Sequence, residues 1–199
     1  MEKRIITISR EFGSGGRTIG RMVAEKLGIP FYDKELVDQI AMETGFAPSF
    51  VEEHGEHAPS TSRLSYAFSQ PGIPGVMNGL TAADFLWSMQ CNVILNLAEQ
   101  GPCVIVGRNA DYILKDRDDC LDVFIHADPE VRAERIVRLY GMSEKSPEAR
   151  LQEKDKRRMI NYQHYTGRTW GVAHNYDLCL DSGVLGIEQC VDLIVSCCK

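Results

Sequence analysis

The run Ile5-Ile6-Thr7-Ile8-Ser9 leads directly into Arg10-Glu11-Phe12-Gly13-Ser14-Gly15-Gly16-Arg17-Thr18-Ile19-Gly20, and no other stretch constrains the fold as much. A short apolar run of this length predicts a buried strand, and Thr18 to Leu27, with Ile19, Met22, Val23, Ala24 and Leu27 at helical spacing, predicts a helix. Between them lie Gly13, Gly15 and Gly16. Glycines let the backbone turn with its amides pointing inward, and the helix adds unpaired amides and the positive end of its dipole, so the segment is shaped to cradle phosphate.

The loop departs from the Walker pattern G-x-x-x-x-G-K-[ST] in either register. Taking Arg17-Thr18 as the lysine and hydroxyl pair puts Glu11 at the first glycine, whereas taking Gly15 as the last motif glycine puts Gly16 at the lysine position. Arg17 could supply the missing charge, though its planar fork is not a lysine point charge. The competing reading is a plain glycine turn without a ligand.

A chain of 199 residues is long enough for a developed core and predicts one α/β domain. With 44% hydrophobic and 25% charged residues it has the composition of a globular protein, and no apolar run approaches a membrane span. The first residues lack the basic segment and long apolar run of a secretory signal, which makes cytoplasm the expected compartment. A net charge of -6 argues against a nucleic-acid polymer as partner. None of the seven cysteines forms a C-x-x-C pair, so buried free thiols are expected in place of metal ligands or disulfides.

Further along, Phe31-Tyr32 reads as a strand, Asp33 as an N-cap, and Leu36, Val37, Ile40 and Ala41 as the buried stripe of a helix ending near Gly45. Residues 46–80, rich in Pro, Gly, Ser and His, read as a mobile insertion on the acceptor side with one or two short helices. Then follow a helix from Asp84 to Gln100, strands Cys103 to Val106 and Leu121 to Ile125, and helices opened by Asp128-Pro129 and Ser146-Pro147. The second of these, reaching about Tyr162, is so polar that residues 128–165 are expected to form a lid over the site. A strand from Tyr176 to Leu180 and a helix from Ile187 to Val195 close the pattern. Alternation of this kind predicts a parallel sheet covered by helices on both faces.

Arg108 follows the strand Cys103 to Val106 without a break, at the sheet edge where α/β proteins bind ligands. It could fork onto a phosphate or a carboxylate, or pair on the surface with Asp111 or Asp116. Arg132, Arg135 and Arg138, and then Arg150, Lys154, Arg157 and Arg158, recur at near-helical spacing and could converge on a polyphosphate, although Glu130, Glu134, Glu153 and Asp155 offer ordinary partners. His54 and His57 read as a solvated loop and not as metal ligands. Tyr162, Tyr165 and Trp170 read as packing residues.

Taken in order, Ile5-Thr7-Ile8 with the glycine loop, Tyr32-Asp33, Val106-Gly107-Arg108, the helix start from Ala127 to Arg135, Glu153-Lys154-Asp155 to Arg158, and Leu180-Asp181-Ser182 with Ile187-Glu188-Gln189 resemble the cytidylate kinase-like family of P-loop nucleoside monophosphate kinases. The resemblance implies a P-loop NTPase-type fold with a helical lid, ATP and Mg2+ as cofactors, and CMP or dCMP as acceptor. It implies that Gly13, Ser14, Gly15, Gly16, Arg17 and Thr18 hold ATP phosphates, with Thr18 on the magnesium. Asp33 and Arg108 would face the acceptor, and Arg135, Lys154, Arg157 and Arg158 would belong to the closing lid; Arg17, Arg108, Arg135, Arg157 and Arg158 form the expected catalytic set. The chain departs from the family at Val106, where cytidylate kinases have an aspartate, and at Gln39, where an arginine is expected. A small-molecule kinase with another acceptor, or a nucleotide-binding module without turnover, are the alternatives.

Overall fold

The computed structural model describes residues 4–54 and 82–198. Five strands, β1 (Ile5–Arg10), β2 (Phe31–Tyr32), β3 (Cys103–Val106), β4 (Cys120–His126) and β5 (Leu178–Asp181), form one sheet in the order β2-β3-β1-β4-β5. Every pairing is parallel, with Ile5 opposite Cys103 on one side of β1 and Cys120 on the other. The first strand is therefore central. It carries the glycine loop into the middle of the sheet's C-terminal edge, where an α/β sheet places ligands.

Burial on both sides explains why β3 is a continuous apolar run and why even Thr7 and Ser9 of β1 are buried. Ile6, Ile8, Val104, Val106, Val123 and Ile125 pack with Ile19 and Val23 of α1 (Gly16–Leu27) and with Val191 and Ile194 of α8 (Ile187–Ser196). Ile5, Cys103 and Ile105 face the other way, toward Leu36 and Ile40 of α2 (Lys34–Thr44), Val51 of α3 (Pro48–His54), and Val93, Ile94 and Leu97 of α4 (Ala82–Gln100). A four-residue helix, α5 (Ala110–Ile113), follows β3. The helices α6 (Pro129–Tyr140) and α7 (Pro147–Thr166) share a smaller cluster of Ala133, Ile136 and Leu151 against Phe12 of the loop.

Three expectations are corrected by this arrangement. Asp33 sits at the N-cap position of α2 but makes no side-chain cap bond, because its carboxylate lies 2.6 Å from the Arg17 Nε. The seventh helix runs a turn beyond Tyr162 to Thr166 and is not polar all round, since Leu151 and Tyr162 are buried. The last strand begins at Leu178 instead of Tyr176. Of the expected insertion, α3 is described; the remaining positions, 55–81, and the side chains of His54 and His57 lie outside the described residues. The helix devices at Asp128 and Ser146 are present, each side-chain oxygen accepting a main-chain amide, from Glu130 and Ala149 respectively.

Candidate active site

Beyond Arg10 the chain turns through Gly13 (φ 81°) and Gly15 (φ 83°), left-handed positions that only glycine adopts without strain. Gly15 caps α1, and the first bond of the helix runs from the Ile19 amide to the Gly15 carbonyl at 3.0 Å, so the amides of Gly16, Arg17 and Thr18 stand outside the helix ladder. The glycine turn and the free amides at the helix start expected from the sequence are present. A Cβ added at Gly13 would lie 2.9 Å from both the Arg132 carbonyl oxygen and Ile136 Cγ2, and one at Gly15 would lie 2.6 Å from Ile187 Cδ1. The loop is therefore pressed against α6 and α8 from behind.

Side chains behind the loop complete its shape. Ser14 is fully buried and turns its hydroxyl inward onto the Glu11 carbonyl at 2.9 Å. Arg135 Nη1 donates to the Gly13 carbonyl (3.0 Å) and to Ser182 Oγ (3.2 Å), while the Ser182 hydroxyl donates to the Ser14 carbonyl. Arg132 Nη1 reaches Asp155 Oδ2 at 2.6 Å and the Phe12 carbonyl at 3.3 Å, and its Nε lies 3.4 Å from Glu11 Oε2. Asp155 in turn accepts the Phe12 amide at 2.7 Å. Burial pushes the Glu11 carboxyl above its usual range, and the neighbouring Arg132 draws it back. These contacts draw α7 down onto the loop.

In front of the loop, Gly107, Arg108 and Asn109 have φ of 72°, 59° and 55°. Two successive non-glycine residues in the left-handed region hold backbone strain of the kind that gathers at ligand sites. The turn is tied on every side. Gln90 Nε2 donates to the Arg108 carbonyl at 2.8 Å, Arg108 Nη1 donates to the Val51 carbonyl at 3.2 Å, and Asn109 Nδ2 donates to Asn161 Oδ1 at 2.9 Å. A cleft opens here, lined by Arg10, Gly107, Arg108, Asn109, Arg158 and Asn161. Arg158 also donates to the Arg10 carbonyl at 3.1 Å, joining α7 to the end of β1.

Of the expected site residues, Arg108 and Arg158 meet in this cleft, and Arg17 meets Asp33 at the rim beside β2. Arg157 is exposed and pairs with Glu153, and Thr18 is half-buried in the first turn of α1. Tyr165 stacks on Trp87 at 4.3 Å, and Trp170 meets Phe124 edge-on at 5.2 Å, so both pack as expected.

Sequence reasoning missed the acid beneath the cleft. Asp111 is 1% exposed and accepts hydroxyls from Tyr162 (2.6 Å) and Ser9 (3.2 Å), tying α5, α7 and β1 together. Burial pushes its carboxyl up to about 6, and burial with the neighbouring acid pushes the Tyr162 phenol far above its ordinary value. In the sequence Asp111 reads as a surface partner for Arg108, but it is buried. Only the pairing of α7 with α5 across 51 positions makes it a buried one.

A central parallel strand, a glycine loop at its C-terminal end, a helix receiving that loop, and a pair of helices folded over it define a P-loop kinase fold. Shikimate kinase from Acinetobacter baumannii superposes with a TM-score of 0.55 at 18% identity, covering 97% of this chain and 91% of its own. An uncharacterized protein from Eubacterium ventriosum superposes with a TM-score of 0.71 at 27% identity, covering 96% of each chain. In sequence, the chain is 29% identical over 195 residues to the cytidylate kinase of Archaeoglobus fulgidus, spanning 96% of this chain and 92% of that protein. Residues 5–184 match the cytidylate kinase-like family, to which the chain belongs. It is accordingly a nucleotide kinase by family.

Such kinases imply ATP and, as a rule, magnesium, and the residues present fit both. The amides of 16–18 and the glycine turn suit a polyphosphate. Among the described residues no cluster of three His, Cys, Asp or Glu could hold a metal by itself. Magnesium in such enzymes keeps its waters and binds mainly through substrate phosphates with one or two protein oxygens. No helix among the described residues is long and apolar enough to cross a membrane.

Proposed function

We propose that the protein transfers the terminal phosphoryl group of ATP to a nucleoside monophosphate, with CMP or dCMP as the acceptor. The observation that carries this reading is the joining of the glycine loop at the end of β1 to an arginine-lined cleft at the end of β3. The family match and the cytidylate kinase relatives support the choice of acceptor.

In the reaction an anionic oxygen of the acceptor phosphate attacks the terminal phosphorus, that new bond forms, and the bond to the bridging oxygen breaks to release ADP. No proton need be removed from the attacking oxygen. What the protein must supply is position and positive charge. Gly13 to Thr18 would hold the donor phosphates through main-chain amides, and magnesium, when bound, would neutralise charge across the transferring group. Arg108 faces the acceptor from the strained turn, and Asp33 and Arg17 bracket it at the rim. Arg158 enters from the lid helix and Arg157 adds charge at its outer face. Arg135 acts through the loop it holds, as a positioning residue. We read residues 1–199 as one kinase domain, with 128–165 as its lid and 46–80 as its acceptor-side insertion, working on small molecules in the cytoplasm.

The deciding experiment is an ADP-release assay with ATP and magnesium across CMP, dCMP, UMP, AMP, GMP, shikimate and gluconate. Turnover fastest on CMP or dCMP is the expected result. Turnover on a non-nucleotide acceptor alone, or on none, overturns the reading.

A further inference from the structure

Helix α1 begins at Gly16, directly after the left-handed Gly15. The last motif glycine is therefore Gly15, and counting back along G-x-x-x-x-G-K puts Arg10 at the first glycine and Gly16 at the lysine. Glycine and cation have changed places at the two ends of the motif. The geometry shows why the two exchanges go together. A Cβ at Gly16 would lie 2.6 Å from Arg10 Cβ and 3.0 Å from Arg10 Cγ. The Arg10 Cβ is fixed by the backbone and no rotamer moves it away, so side chains at positions 10 and 16 compete for one space. The backbone does not demand glycine there, since Gly16 is absent from the positive-φ positions. Gly16 is small because Arg10 is large.

The placement of Arg10 suits the lysine's task. It is the last residue of β1 and follows Ile6 and Ile8 onto the face that packs on α1, which brings its stem beside the first turn of that helix. It lines the cleft together with Arg108 and Arg158. Its main chain is held at both sides, by Arg158 on its carbonyl at 3.1 Å and by the bond from the Glu11 amide to the Ile125 carbonyl at 3.0 Å. Arg17, the residue the sequence offers as the substitute, instead has its Nε 2.6 Å from Asp33 at the rim. A guanidinium on a fixed strand end can fork across two phosphate oxygens, a geometry that a lysine ammonium does not have.

We propose that the Arg10 guanidinium replaces the Walker lysine on the donor phosphates, reaching them past the space that Gly16 leaves open. This assignment rests on the kinase reading above.

The test is to reverse the exchange, comparing Arg10→Gly, Gly16→Lys and the double variant Arg10→Gly/Gly16→Lys for phosphoryl transfer from ATP to CMP and for calorimetric binding of ATP with magnesium. Arg10→Gly should lose at least about a hundredfold in turnover, the loss typical of removing one group that stabilises developing charge. Gly16→Lys alone should also fall, because its stem meets Arg10. The double variant should recover to within about tenfold of the native protein. A purely structural role for Arg10 predicts no such recovery, so a double variant no better than the worse single one overturns the proposal, as does native turnover in Arg10→Gly. If Arg10→Gly does not fold, Arg10→Met keeps an unbranched stem and should show the same loss of turnover, with weaker binding of ATP. If the native protein transfers phosphate to no nucleotide, the kinase reading fails by itself. The Arg10 assignment is then judged on binding alone, and equal ATP affinity in the native and Arg10→Met proteins overturns it.

Discussion

Arg132 behind the loop and Arg108 in front of it are equally buried, each 7% exposed, yet they serve different ends. Arg132 lies between two carboxylates of its own protein, Asp155 at 2.6 Å and Glu11 at 3.4 Å, and helps hold α7 on the loop. Arg108 leaves a strained turn, touches the Val51 carbonyl and borders the cleft. Burial alone therefore does not mark a functional arginine. What separates the two is that the Arg132 guanidinium ties α7 to the loop through Asp155 and Glu11, whereas Arg108 borders the cleft. The region behind the loop fixes its shape, and the region in front is the one we propose for the acceptor.

The largest effect is expected where that fixing is undone. Arg132→Met leaves Glu11 half-buried without its cation and Asp155 with Arg158 alone, 3.6 Å away, and breaking a buried pair on one side costs about 3 to 5 kcal/mol. Chemical denaturation should show a loss of that size. A loss below about 1 kcal/mol would place Arg132 with the screened surface pairs and erase the contrast with Arg108.

Next comes Asp111, the buried acid beneath the cleft. Its folded value is raised from 3.8 to about 6, so the protonated form is the one the fold favours. Stability from this group is fully present below 3.8 and is lost as pH rises through about 6; over that window the ionised carboxyl costs roughly 3 kcal/mol. Asp111→Asn removes the dependence. The stability of the variant relative to the native protein should climb between pH 4 and about 6.5 and then level off, read from denaturation curves at each pH. A flat difference across that range would mean that Asp111 ionises as an ordinary surface acid does.

Arg108 should show the third effect, and on function more than on folding. Arg108→Ala is expected to lower kcat/KM for CMP about tenfold or more, the worth of one charge-assisted bond, while the affinity for ATP changes little. Arg108→Lys should recover only part of this, since an ammonium does not offer the fork. Equal losses in ATP and acceptor would shift Arg108 from the front of the site to the loop.

The sheet was legible because its strands, buried on both faces, appear as continuous apolar runs such as Cys103 to Val106, and because Asp128, Ser146 and the glycines after the helices punctuate them. The cradle was legible for the same reason, as local chemistry. The partners of the arginines were not. Arg132, Arg135 and Arg138 read as one set at helical spacing, yet Arg135 holds the Gly13 carbonyl and Arg132 holds Asp155, contacts spanning 122 and 23 positions. Spacing along a helix gives the face of an arginine but not what the fold brings against it. Arg10 escaped notice because it ends a strand, where alternation assigns a face and says nothing of the glycine that makes room for it.

The smallest effect is expected at the outer face of α7, and it sharpens the comparison by contrast with both buried arginines. Arg157 is exposed and pairs with Glu153, whose carboxyl is held below its usual range by Lys145 first and by Arg157 and Lys154 after it. A cation in that setting acts on an incoming polyphosphate across solvent, and at physiological ionic strength such attraction fades over roughly 8 Å. Arg157→Ala should therefore leave the melting temperature where it is and lower kcat/KM for ATP by a few-fold at low salt. The difference from the native protein should shrink steadily as sodium chloride is raised. A loss that exceeds tenfold and persists in high salt would mean that Arg157 swings inward to touch the transferring group, and the lid would then contribute a contact in place of a field.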